Sequence, residues 1–363
     1  MRHCDVLVLG GGPAGSTCAW ALGDAGVDVM LMDRARFPRD KPCAGWVTPA
    51  VFRALGVTPA DYEASGRTLQ PFSAFQTSIA GGVPVTTSFA EPVSYGIRRT
   101  EFDEYLLRRV RTPVMEGTPL VSLQRASGCW IVNDSIRASM VVGAGGHFCP
   151  VARSVHGTIS RRLVLARQAE IPIDADERCR VNGSAPELYF SRDLEGYGWC
   201  LRKGDYLNVG IGRRVRDDFQ SHARGFLAFL ASQGKLPAAA TELARWHGHA
   251  YVLAGDAGSP IAEGILLAGD AAGIAVRESG EGIGPAVESA LEIARTIVSA
   301  GGRRGVEDLQ PYADWVRAQA PPASVAARIR ARLPAFVGRA LLRSPAFARL
   351  VVERWFLGSS ISG

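Results

Sequence analysis

The sequence predicts an α/β fold built around a parallel sheet, because two similar segments lie near its two ends. In each segment a short apolar run leads into a glycine-rich turn and then a helix-like stretch, once within residues 5–25 and again within residues 265–297. Strands that alternate with helices in this way form parallel sheets. With 363 residues, 47% of them hydrophobic, the chain can bury a large core, and we expect two interleaved domains.

The first segment predicts a strand, a tight turn and a helix that together bind a nucleotide. An apolar strand from Asp5 to Leu9 precedes the pattern Gly10-x-Gly12-x-x-Gly15, and the helix is predicted from Pro13 to about Ala25. Glycine permits the unusual dihedral angles of the turn and leaves room for a pyrophosphate at the helix N-terminus. A plain glycine turn without a ligand is the alternative.

The next strand ends in an acidic residue at the spacing that such a site requires. Val27 to Met32 is apolar, and Asp33 follows it 18 residues after Gly15. An acid at this place accepts hydrogen bonds from a ribose diol. This context supports a dinucleotide site but does not distinguish FAD from NAD.

The second segment favours FAD. Ile265 to Ala268 predicts a short buried strand that ends in Gly269-Asp270, and a helix is predicted from Gly282 to Ile297. The segment resembles an element of FAD proteins in the aromatic hydroxylase and geranylgeranyl reductase superfamily, where the Asp contacts the ribityl chain and the helix N-terminus faces the flavin ring. Such a helix end favours a reduced, anionic flavin. The similar string from Ala254 to Pro260 is interpreted as a turn, because no comparable strand leads from it into a glycine-rich helix start.

Between these segments the chain alternates between two kinds of structure. Arg34 to Gly56, rich in proline, glycine and charge, is predicted as a loop, and β-like runs over Pro71 to Phe89 predict a hairpin outside the flavin domain. The stretch from Tyr95 then enters a helix that is predicted to run to about Arg111. Thr100 and Asp103 are spaced as a capping pair in this stretch.

A third glycine turn and an antiparallel sheet complete the predicted fold. Met140 to Val142 predicts a strand that leads into the turn Gly143 to Gly146. Strand-like runs over Tyr197 to Arg202 and Tyr206 to Ile211, joined by Gly204-Asp205, predict antiparallel pairing. We expect this sheet to roof the flavin and to hold the substrate.

The predicted domain organisation is therefore discontinuous. The fold class is α/β, with a Rossmann-like FAD-binding domain, an inserted antiparallel β-sheet substrate domain and C-terminal helices. The FAD-binding domain comprises residues 1–70, 95–160 and 250–305, the substrate-binding β-sheet domain residues 71–94 and 161–249, and the C-terminal helical region residues 306–363.

The net charge of +6 lies in the C-terminal region. From Arg303 onward there are ten arginines and four acidic residues, whereas the rest of the chain is balanced. Arginines mixed with apolar residues over Val325 to Leu357 predict amphipathic helices, which either pack on the protein's own domain or contact a membrane surface or the active site. A diffuse basic tail is not a nucleic-acid-binding module, so we expect no nucleic-acid partner.

Cysteine usage and the N-terminal segment predict a cytoplasmic protein, with membrane association through the basic region as a further expectation. The seven cysteines are scattered and form no CxxC pair, so neither a disulfide framework nor a zinc site is indicated. The nucleotide turn lies within the first 15 residues, unlike a signal peptide. His247 and His249 lack carboxylate or cysteine neighbours at ligand spacing, so we expect no metal.

Four motifs in one order indicate the family that the chain resembles. The stretch Gly196 to Gly212 resembles the YxWxFP-KGD-NVGxG signature of the geranylgeranyl reductase family. Pro38-x-x-Lys-Pro-Cys43 resembles its cysteine loop, and Arg99-x-x-Phe-Asp103 its RxxFD helix. The GDAAG string that begins at Gly269, with the later GEGI string, resembles a further element of that family. The resemblance extends over residues 5 to about 300.

The resemblance implies a set of cofactor-binding residues. They would surround the cofactor from its pyrophosphate to its ring. They are Gly10, Gly12, Ala14 and Gly15 for the pyrophosphate, Asp33 for the adenosine ribose with Arg34 next to it, Arg99 for the flavin side, Asp270 for the ribityl or phosphate region, and Gly282 and Ile283 for the isoalloxazine.

The resemblance also implies residues for catalysis. Cys43, Ala44 and Trp46 belong to the loop that passes near the ring in this family, where the cysteine has been proposed to assist proton delivery; a small packing role is the alternative. Tyr197 and Trp199 alternate onto one strand face. They are candidates for substrate contact, with ordinary sheet aromatics as the alternative.

Two departures from the family pattern bear on the substrate and the cofactor. Leu201-Arg202 replaces the Phe-Pro that ends the YxWxFP motif, and a charge there could change which substrate fits. Gly143 to Gly146 reads Gly-Ala-Gly-Gly where many superfamily members have Gly-Ala-Asp-Gly. The turn is kept although a carboxylate is lost, so we expect the cofactor to bind.

The resemblance implies a reductase that passes hydride from FAD to a carbon–carbon double bond of a small apolar, prenyl- or polyene-like substrate. No second nucleotide fold is evident in the sequence, so NAD(P)H would bind transiently as reductant, or an external protein would donate the electrons. The alternatives are an FAD-dependent monooxygenase that hydroxylates a secondary metabolite, a flavin-dependent halogenase with an essential lysine, and a non-enzymatic electron-carrying flavoprotein. The lysines available are Lys41, Lys203 and Lys235.

Overall fold

The computed structural model describes residues 1–157, 163–174, 181–214, 218–236, 246–252, 258–319 and 335–358. The chain divides into two compact units, each assembled from three segments of the sequence. The first unit comprises Met1–Asp40, Thr100–Arg162 and Tyr251–Pro322, and the second comprises Lys41–Arg99, Leu163–Ala250 and Ala323–Gly363.

The described residues form short strands and helices of varied length. In chain order the strands are β1 (Arg2–Leu9), β2 (Val29–Met32), β3 (Trp46–Val47), β4 (Leu69–Phe72), β5 (Ala74–Ile79), β6 (Val85–Ser88), β7 (Ser94–Ile97), β8 (Val114–Met115), β9 (Leu123–Ala126), β10 (Cys129–Val132), β11 (Ile136–Gly143), β12 (Leu163–Pro172), β13 (Glu187–Phe190), β14 (Gly196–Lys203), β15 (Tyr206–Arg214), β16 (His247–Val252), β17 (Ile261–Ala262) and β18 (Ile265–Leu267). The helices are α1 (Pro13–Asp24), α2 (Pro49–Ala54), α3 (Pro59–Ala64), α4 (Arg99–Arg108), α5 (Pro150–His156), α6 (Phe219–Ser232), α7 (Ile283–Ala300), α8 (Val306–Gln319), α9 (Ala335–Leu341) and α10 (Pro345–Val351), with a 3₁₀ turn at Gly269–Ala271 and a π-helical turn at Val352–Phe356.

A sheet with a parallel centre forms the first unit. Its order is β17-β18-β11-β1-β2-β8, parallel from β18 to β8, while β9 and β10 extend it antiparallel from β11. Val8 of β1 lies in one buried cluster with Leu22 of α1 and Ile293 of α7. Leu7 lies in a second cluster with Val151 of α5. Because β1 is covered on both faces, its apolar run is continuous rather than alternating, and the predicted Rossmann-like α/β fold is confirmed.

The second unit contains the predicted antiparallel sheet. Its order is β16-β12-β15-β14-β13-β5-β6, and the described register is antiparallel except for the parallel pair β5 and β13. The hairpin between β14 and β15 turns at Gly204, whose φ is +55°. Strands β3, β7 and β4 form a separate small sheet.

Different elements pack on the two faces of this antiparallel sheet. On one face, Val209 lies in a buried cluster with Phe226 and Leu230 of α6. On the other face, Trp199 and aromatic neighbours pack with Phe356 of the π-helical turn. The C-terminal elements that are described therefore pack on their own unit. Packing on the protein's own domain was one of the two expectations for the basic region.

The predicted loop over Arg34 to Gly56 is wrong in its second half. That half contains β3 and the helix α2. Thr48 has an extended backbone and Pro49 occupies the first turn of α2, where proline is favoured because its missing N–H needs no partner. Phe52 is buried, so α2 is anchored by packing that the polar composition of this segment did not suggest.

The predicted capping pair in the RxxFD segment is also wrong. Residues before the helix form β7, which pairs with β3 and β4, so α4 starts at Arg99. Thr100 consequently lies within the first turn, and its buried hydroxyl has no hydrogen-bond partner in the described part of the chain. Asp103 instead forms an ion pair with Arg39.

Two sequence predictions fall partly outside the described residues. The string from Ala254 to Pro260 is described only from residue 258, and the predicted helical tail from Val325 only from residue 335. Among the helices that are described, none has the length and apolar character needed to cross a membrane.

Candidate functional site

The glycine turn after β1 is shaped by close backbone contacts in the first unit. Gly10 has a φ of +118°, and a Cβ there would lie 2.4 Å from the carbonyl oxygen of Ala144 in the third glycine turn. A Cβ on Gly15 would lie 1.7 Å from the carbonyl oxygen of Gly10. Both positions therefore require glycine for the turn and for close packing of strand and helix.

The N-terminus of α1 is built to receive an anion. Gly12 is its N-cap, Pro13 occupies the first turn, and this end has neither a side-chain cap nor an acidic residue in that turn. A Cβ on Gly12 would meet no backbone atom; the nearest atom is Nη2 of Arg39 at 3.3 Å. The buried Ala14 follows. Free N–H groups at a helix start, with no Cβ in front of them, suit a phosphate.

Arg39 adds a positive charge at this place, and the sequence reasoning missed it. Its guanidinium nitrogen lies 3.1 Å from Oδ2 of Asp103, which is fully buried. The carboxylate thus holds the guanidinium next to Gly12. The available signal was the arginine in the Pro38-Arg39 string together with the Asp of the RxxFD motif, but their pairing across the fold is not readable from spacing.

Asp33 stands at the end of β2, as predicted for a ribose-binding acid. Its Oδ2 accepts a hydrogen bond from the Gly11 N–H at 2.6 Å, and its Oδ1 accepts one from the Ala35 N–H at 2.7 Å. A carboxylate has further lone pairs after these two bonds. Arg34 next to it is exposed.

The second glycine segment places an acidic side chain beside a helix start. Asp270 lies in the 3₁₀ turn after β18, and a Cβ on Gly282 would lie 3.2 Å from its Oδ1. Gly282 is the N-cap of α7, which has no side-chain cap and no acidic residue in its first turn, and Ile283 is buried behind it. The first turn of this 18-residue helix therefore directs its positive end toward carboxyl groups, and the Gly284 N–H donates to the Glu281 carboxyl.

Glu281, immediately before Gly282, holds a proton unusually well. Burial, with the nearby charge of Glu288, raises the pKa of this carboxyl to about 7. The sequence reasoning missed Glu281, although it is the acid of the GEGI string.

The remaining cofactor-binding candidates, Cys43, Ala44, Trp46 and Arg99, belong to the second unit. Cys43 and Ala44 are half-buried, and Arg99 is buried at the start of α4. The Trp46 ring is stacked between two phenylalanines, with centroids 4.9 Å from Phe75 and 5.5 Å from Phe356. The loop thus ends in an aromatic layer on the sheet.

Tyr197 and Trp199 lie on one face of β14, but their surroundings differ. Trp199 is buried, and its Nε1 donates to Oδ1 of Asn208 at 2.8 Å. Its ring occupies the space over Gly210, where a Cβ would lie 2.2 Å from Cζ2. Tyr197 is half-buried and meets the Phe356 ring edge-on at 5.3 Å.

The departure at Leu201-Arg202 adds no charge to the face of β14 that carries Trp199. Leu201 is fully buried on the face of Trp199. Arg202 points to the opposite face, because side chains alternate along a strand, and its Nε donates to the Gly204 carbonyl at 2.9 Å. The expectation that this arginine alters the substrate-facing surface is therefore not supported by its position.

No group of three or more possible metal-ligating side chains is found in the part of the chain that the structure describes. His249 lies with both ring nitrogens 3.2 Å from Nζ of Lys41. The residues of the first unit instead fit FAD: a glycine cradle, an anion-binding helix start, Arg39 and the two carboxylates of Asp33 and Asp270.

Comparisons with known proteins agree with this assignment. A family model described as an FAD binding domain matches residues 3–75. The geranylgeranyl diphosphate reductase of Rhodobacter capsulatus is 29% identical over 301 residues, which cover 77% of this chain and 71% of that protein.

Solved structures share the whole fold. A geranylgeranyl bacteriochlorophyll reductase-like protein from Thermoplasma acidophilum matches with a TM-score of 0.78 at 18% identity, covering 100% of this chain and 99% of its own. PqsL from Pseudomonas aeruginosa, described as a probable FAD-dependent monooxygenase, matches with a TM-score of 0.66 at 19% identity, covering 96% of this chain and 98% of its own. At these identities the structures show a common fold.

Proposed function

We propose that this chain, an FAD-dependent oxidoreductase that resembles the geranylgeranyl reductase family, reduces carbon–carbon double bonds of a small apolar, prenyl- or polyene-like substrate. Bound FAD would supply the hydride. We propose NAD(P)H as the transient reductant, with an external protein donor as the alternative source of electrons.

The aromatic face of the antiparallel sheet is the observation that carries this proposal. Trp46, Phe75, Tyr197 and Phe356 pack there with the aliphatic side chains of the same buried cluster. Trp46 and Tyr197 are the half-buried rings of this set, and they would bind an apolar chain by removing its surface from water.

Cys43 is the residue of the chain that we propose as the proton source. Reduction of an alkene needs a hydride and a proton, and the half-buried thiol lies three residues before Trp46 of the aromatic face. The reduction itself, not the choice of Cys43, draws support from the Rhodobacter relative, whose name describes a reductase of a geranylgeranyl compound.

Hydroxylation is the first alternative function. Halogenation and non-enzymatic electron transfer are the less favoured alternatives. The fold shared with PqsL favours a monooxygenase only at the level of architecture. Halogenation requires a lysine available to the substrate, whereas Lys203 pairs with Glu170 at 2.9 Å and Lys235 with Glu187 at 2.5 Å. Lys41 contacts His249.

The basic C-terminal region supports a further proposal, that the protein contacts a membrane peripherally to reach its substrate. Phe336 of α9 is 63% exposed and Leu350 of α10 is 47% exposed. Arg343 lies between these two helices in the sequence. Exposed apolar side chains beside arginines favour the surface of an anionic bilayer.

Anaerobic reoxidation of the reduced flavin tests the proposed function. The bound FAD is reduced with NAD(P)H or dithionite, polyprenyl alkenes such as geranylgeranyl diphosphate are added, and flavin absorbance is followed without oxygen. We expect reoxidation with the alkene and none with its saturated analogue. Reoxidation that needs oxygen and ignores every alkene would contradict the proposal.

A further inference from the structure

One face of the antiparallel sheet carries polar side chains that the proposed reaction does not use. The register aligns β12, β15 and β14, and residues opposite one another point to the same face. Beside the aromatic half of this face, its polar half carries Gln168, Glu170, Lys203 and Asn208.

Asn208 connects the backbone of Cys43 to the sheet. Asn208 is fully buried, and its Nδ2 donates to the Cys43 carbonyl at 3.3 Å while its Oδ1 is held by Trp199. The same Nδ2 donates to Oε1 of the buried Gln168 at 2.7 Å. The Cys43 carbonyl is thus bonded to the sheet through Asn208, which Trp199 and Gln168 hold in place.

Lys203 supports the same loop two residues further on. Gly45 has a φ of +63°, and a Cβ there would lie 2.2 Å from the Ile97 carbonyl oxygen and 2.4 Å from Nζ of Lys203. The Gly45 carbonyl accepts from the Ile97 N–H at 2.7 Å. The ammonium group therefore lies against the loop backbone, in the space that only glycine leaves open.

Lys203 is itself fixed by a chain of charges. It is fully buried, and its Nζ lies 2.9 Å from Oε1 of Glu170. The other carboxylate oxygen of Glu170 accepts from Nε of Arg98 at 3.2 Å, and the Arg98 guanidinium lies 3.6 Å from the centre of the Tyr206 ring. The ammonium group has one defined position in this arrangement.

A buried ion pair is by itself weak evidence for a stabilising role. Taking an ammonium and a carboxylate out of water costs about as much as their attraction returns, and well-packed apolar replacements of buried pairs are often neutral or stabilising. What the pair does specify is a geometry, because it fixes a charge against the Cys43 loop.

We propose that Lys203 and Asn208 are positioning residues that hold the Cys43–Trp46 loop against the sheet and so fix where the Cys43 thiol points. The Lys of the KGD string and the Asn of the NVG string then act through the loop rather than on the substrate. The proposal rests on the proposed function only where it makes the thiol a proton source.

Thiol alkylation in the FAD-loaded full chain tests this proposal. Lys203→Met and Asn208→Leu are treated with iodoacetamide, and modification of each cysteine is followed by peptide mass spectrometry. We expect Cys43 to react faster by at least about fivefold, the factor that one net hydrogen bond represents. The fully buried Cys200 should stay unreactive, and kcat for alkene reduction should fall more than KM changes.

Lys235→Met is the matched control. Lys235 pairs with Glu187, which is opposite Cys200 on the α6 side of the same sheet. This variant loses a comparable ion pair without touching the loop. Its Cys43 should react at the wild-type rate.

Three results would overturn the proposal. They are an unchanged Cys43 rate in both loop variants, an equal increase in Lys235→Met, and a Lys203→Met protein that fails to fold, since the pair would then serve the unit as a whole. Alkylation needs no substrate, so the Cys43 rates can be measured even if the wild type reduces no alkene. An absence of alkene reduction would contradict the proposed function and would leave the positioning role of Lys203 and Asn208 unaffected.

Discussion

The three glycines of the first turn serve different purposes at the residue scale. Gly10 and Gly15 face backbone carbonyl oxygens, so a side chain at either place would collide with the fold itself. Gly12 faces only side-chain atoms, those of Arg39 and Asp103, and the space in front of α1. Gly10 and Gly15 therefore build the turn, and Gly12 keeps the phosphate position open.

Alanine substitutions separate these roles. Gly15→Ala forces a shift of backbone atoms and should lower both Tm and FAD content. Gly12→Ala should leave the Tm of the FAD-free protein within a few degrees, since its Cβ meets only side-chain atoms, and yet weaken FAD binding by at least about tenfold, or about 1.4 kcal/mol. Thermal unfolding and FAD titration measure the two effects; an equal loss of Tm in both variants would contradict the distinction.

Cys43 makes a second prediction at this scale. If its thiol gives the proton, Cys43→Ala should lose about 10² or more in kcat and keep its FAD. Cys200→Ala, on the other face of the sheet, is the control and should keep most of its activity. Single-turnover kinetics under anaerobic conditions provide the measurement, and near-wild-type turnover of Cys43→Ala would leave the cysteine a packing residue.

Sequence patterns identified individual residues where the partner is local and missed them where it is distant. Gly10, Gly15 and Asp33 follow from a motif within one strand–turn–helix unit. Arg39 was missed because it is placed by Asp103, which is far along the chain. The hydrogen bond from Asn208 to the Cys43 carbonyl likewise depends on strand register, which the spacing of residues in the sequence does not predict.

The start of α7 carries a buried carboxyl whose pKa is raised. Burial, with the charge of Glu288 in second place, raises the pKa of Glu281 from 4.5 to about 7. The folded state therefore binds this proton more tightly than the unfolded chain does. Its contribution to stability is fully present below pH 4.5 and is lost as the pH rises to about 7.

Glu281→Gln should remove this pH dependence. The difference between the two pKa values corresponds to at most about 3 kcal/mol. The glutamine variant should therefore gain about 2 kcal/mol relative to wild type between pH 5 and pH 8. Urea unfolding at the two pH values measures the gain, and a constant difference would contradict the raised pKa.

The C-terminal π-helical turn is an element whose role rests on packing. Phe356 is buried against Trp46 and Tyr197. Phe356→Ala should cost about 3 to 5 kcal/mol, the usual loss for a buried phenylalanine, whereas Leu350→Ala, at a side chain that is 47% exposed, should stay within about 0.5 kcal/mol. Denaturant unfolding compares the variants, and equal small losses would show that the turn does not anchor this face.

Elements were predictable from sequence where hydrophobic pattern and turn chemistry agreed. Strands β1, β14 and β15 show both, and they form as predicted. The helix α2 was missed because its segment is rich in proline and glycine, a composition that predicts a loop. The burial of Phe52, which anchors the helix, is seen only in the structure. Thr100 and Asp103 have the spacing of a capping pair, but pairing of β7 moves the helix start past it.

At the scale of the whole molecule, the ordered motifs predicted the fold class because the two strand–turn–helix motifs fall in the first unit and the stretch Gly196 to Gly212 falls in the second. The predicted domain boundaries and the two compact units divide the chain differently at residues 41–70, which belong to the second unit. That segment carries the cysteine loop, and its contacts are made with residues distant in sequence such as Asn208. Composition and the spacing of residues in the sequence do not predict such contacts.

The mass of the product formed with and without oxygen tests the central claim most directly. Reduced protein is mixed with a polyprenyl alkene under strict anaerobiosis and, in parallel, in air, and the product is analysed by mass spectrometry. We predict a product with two added hydrogens per reduced double bond that forms without oxygen. A product with one added oxygen that forms only in air would contradict a reductase and establish a hydroxylase.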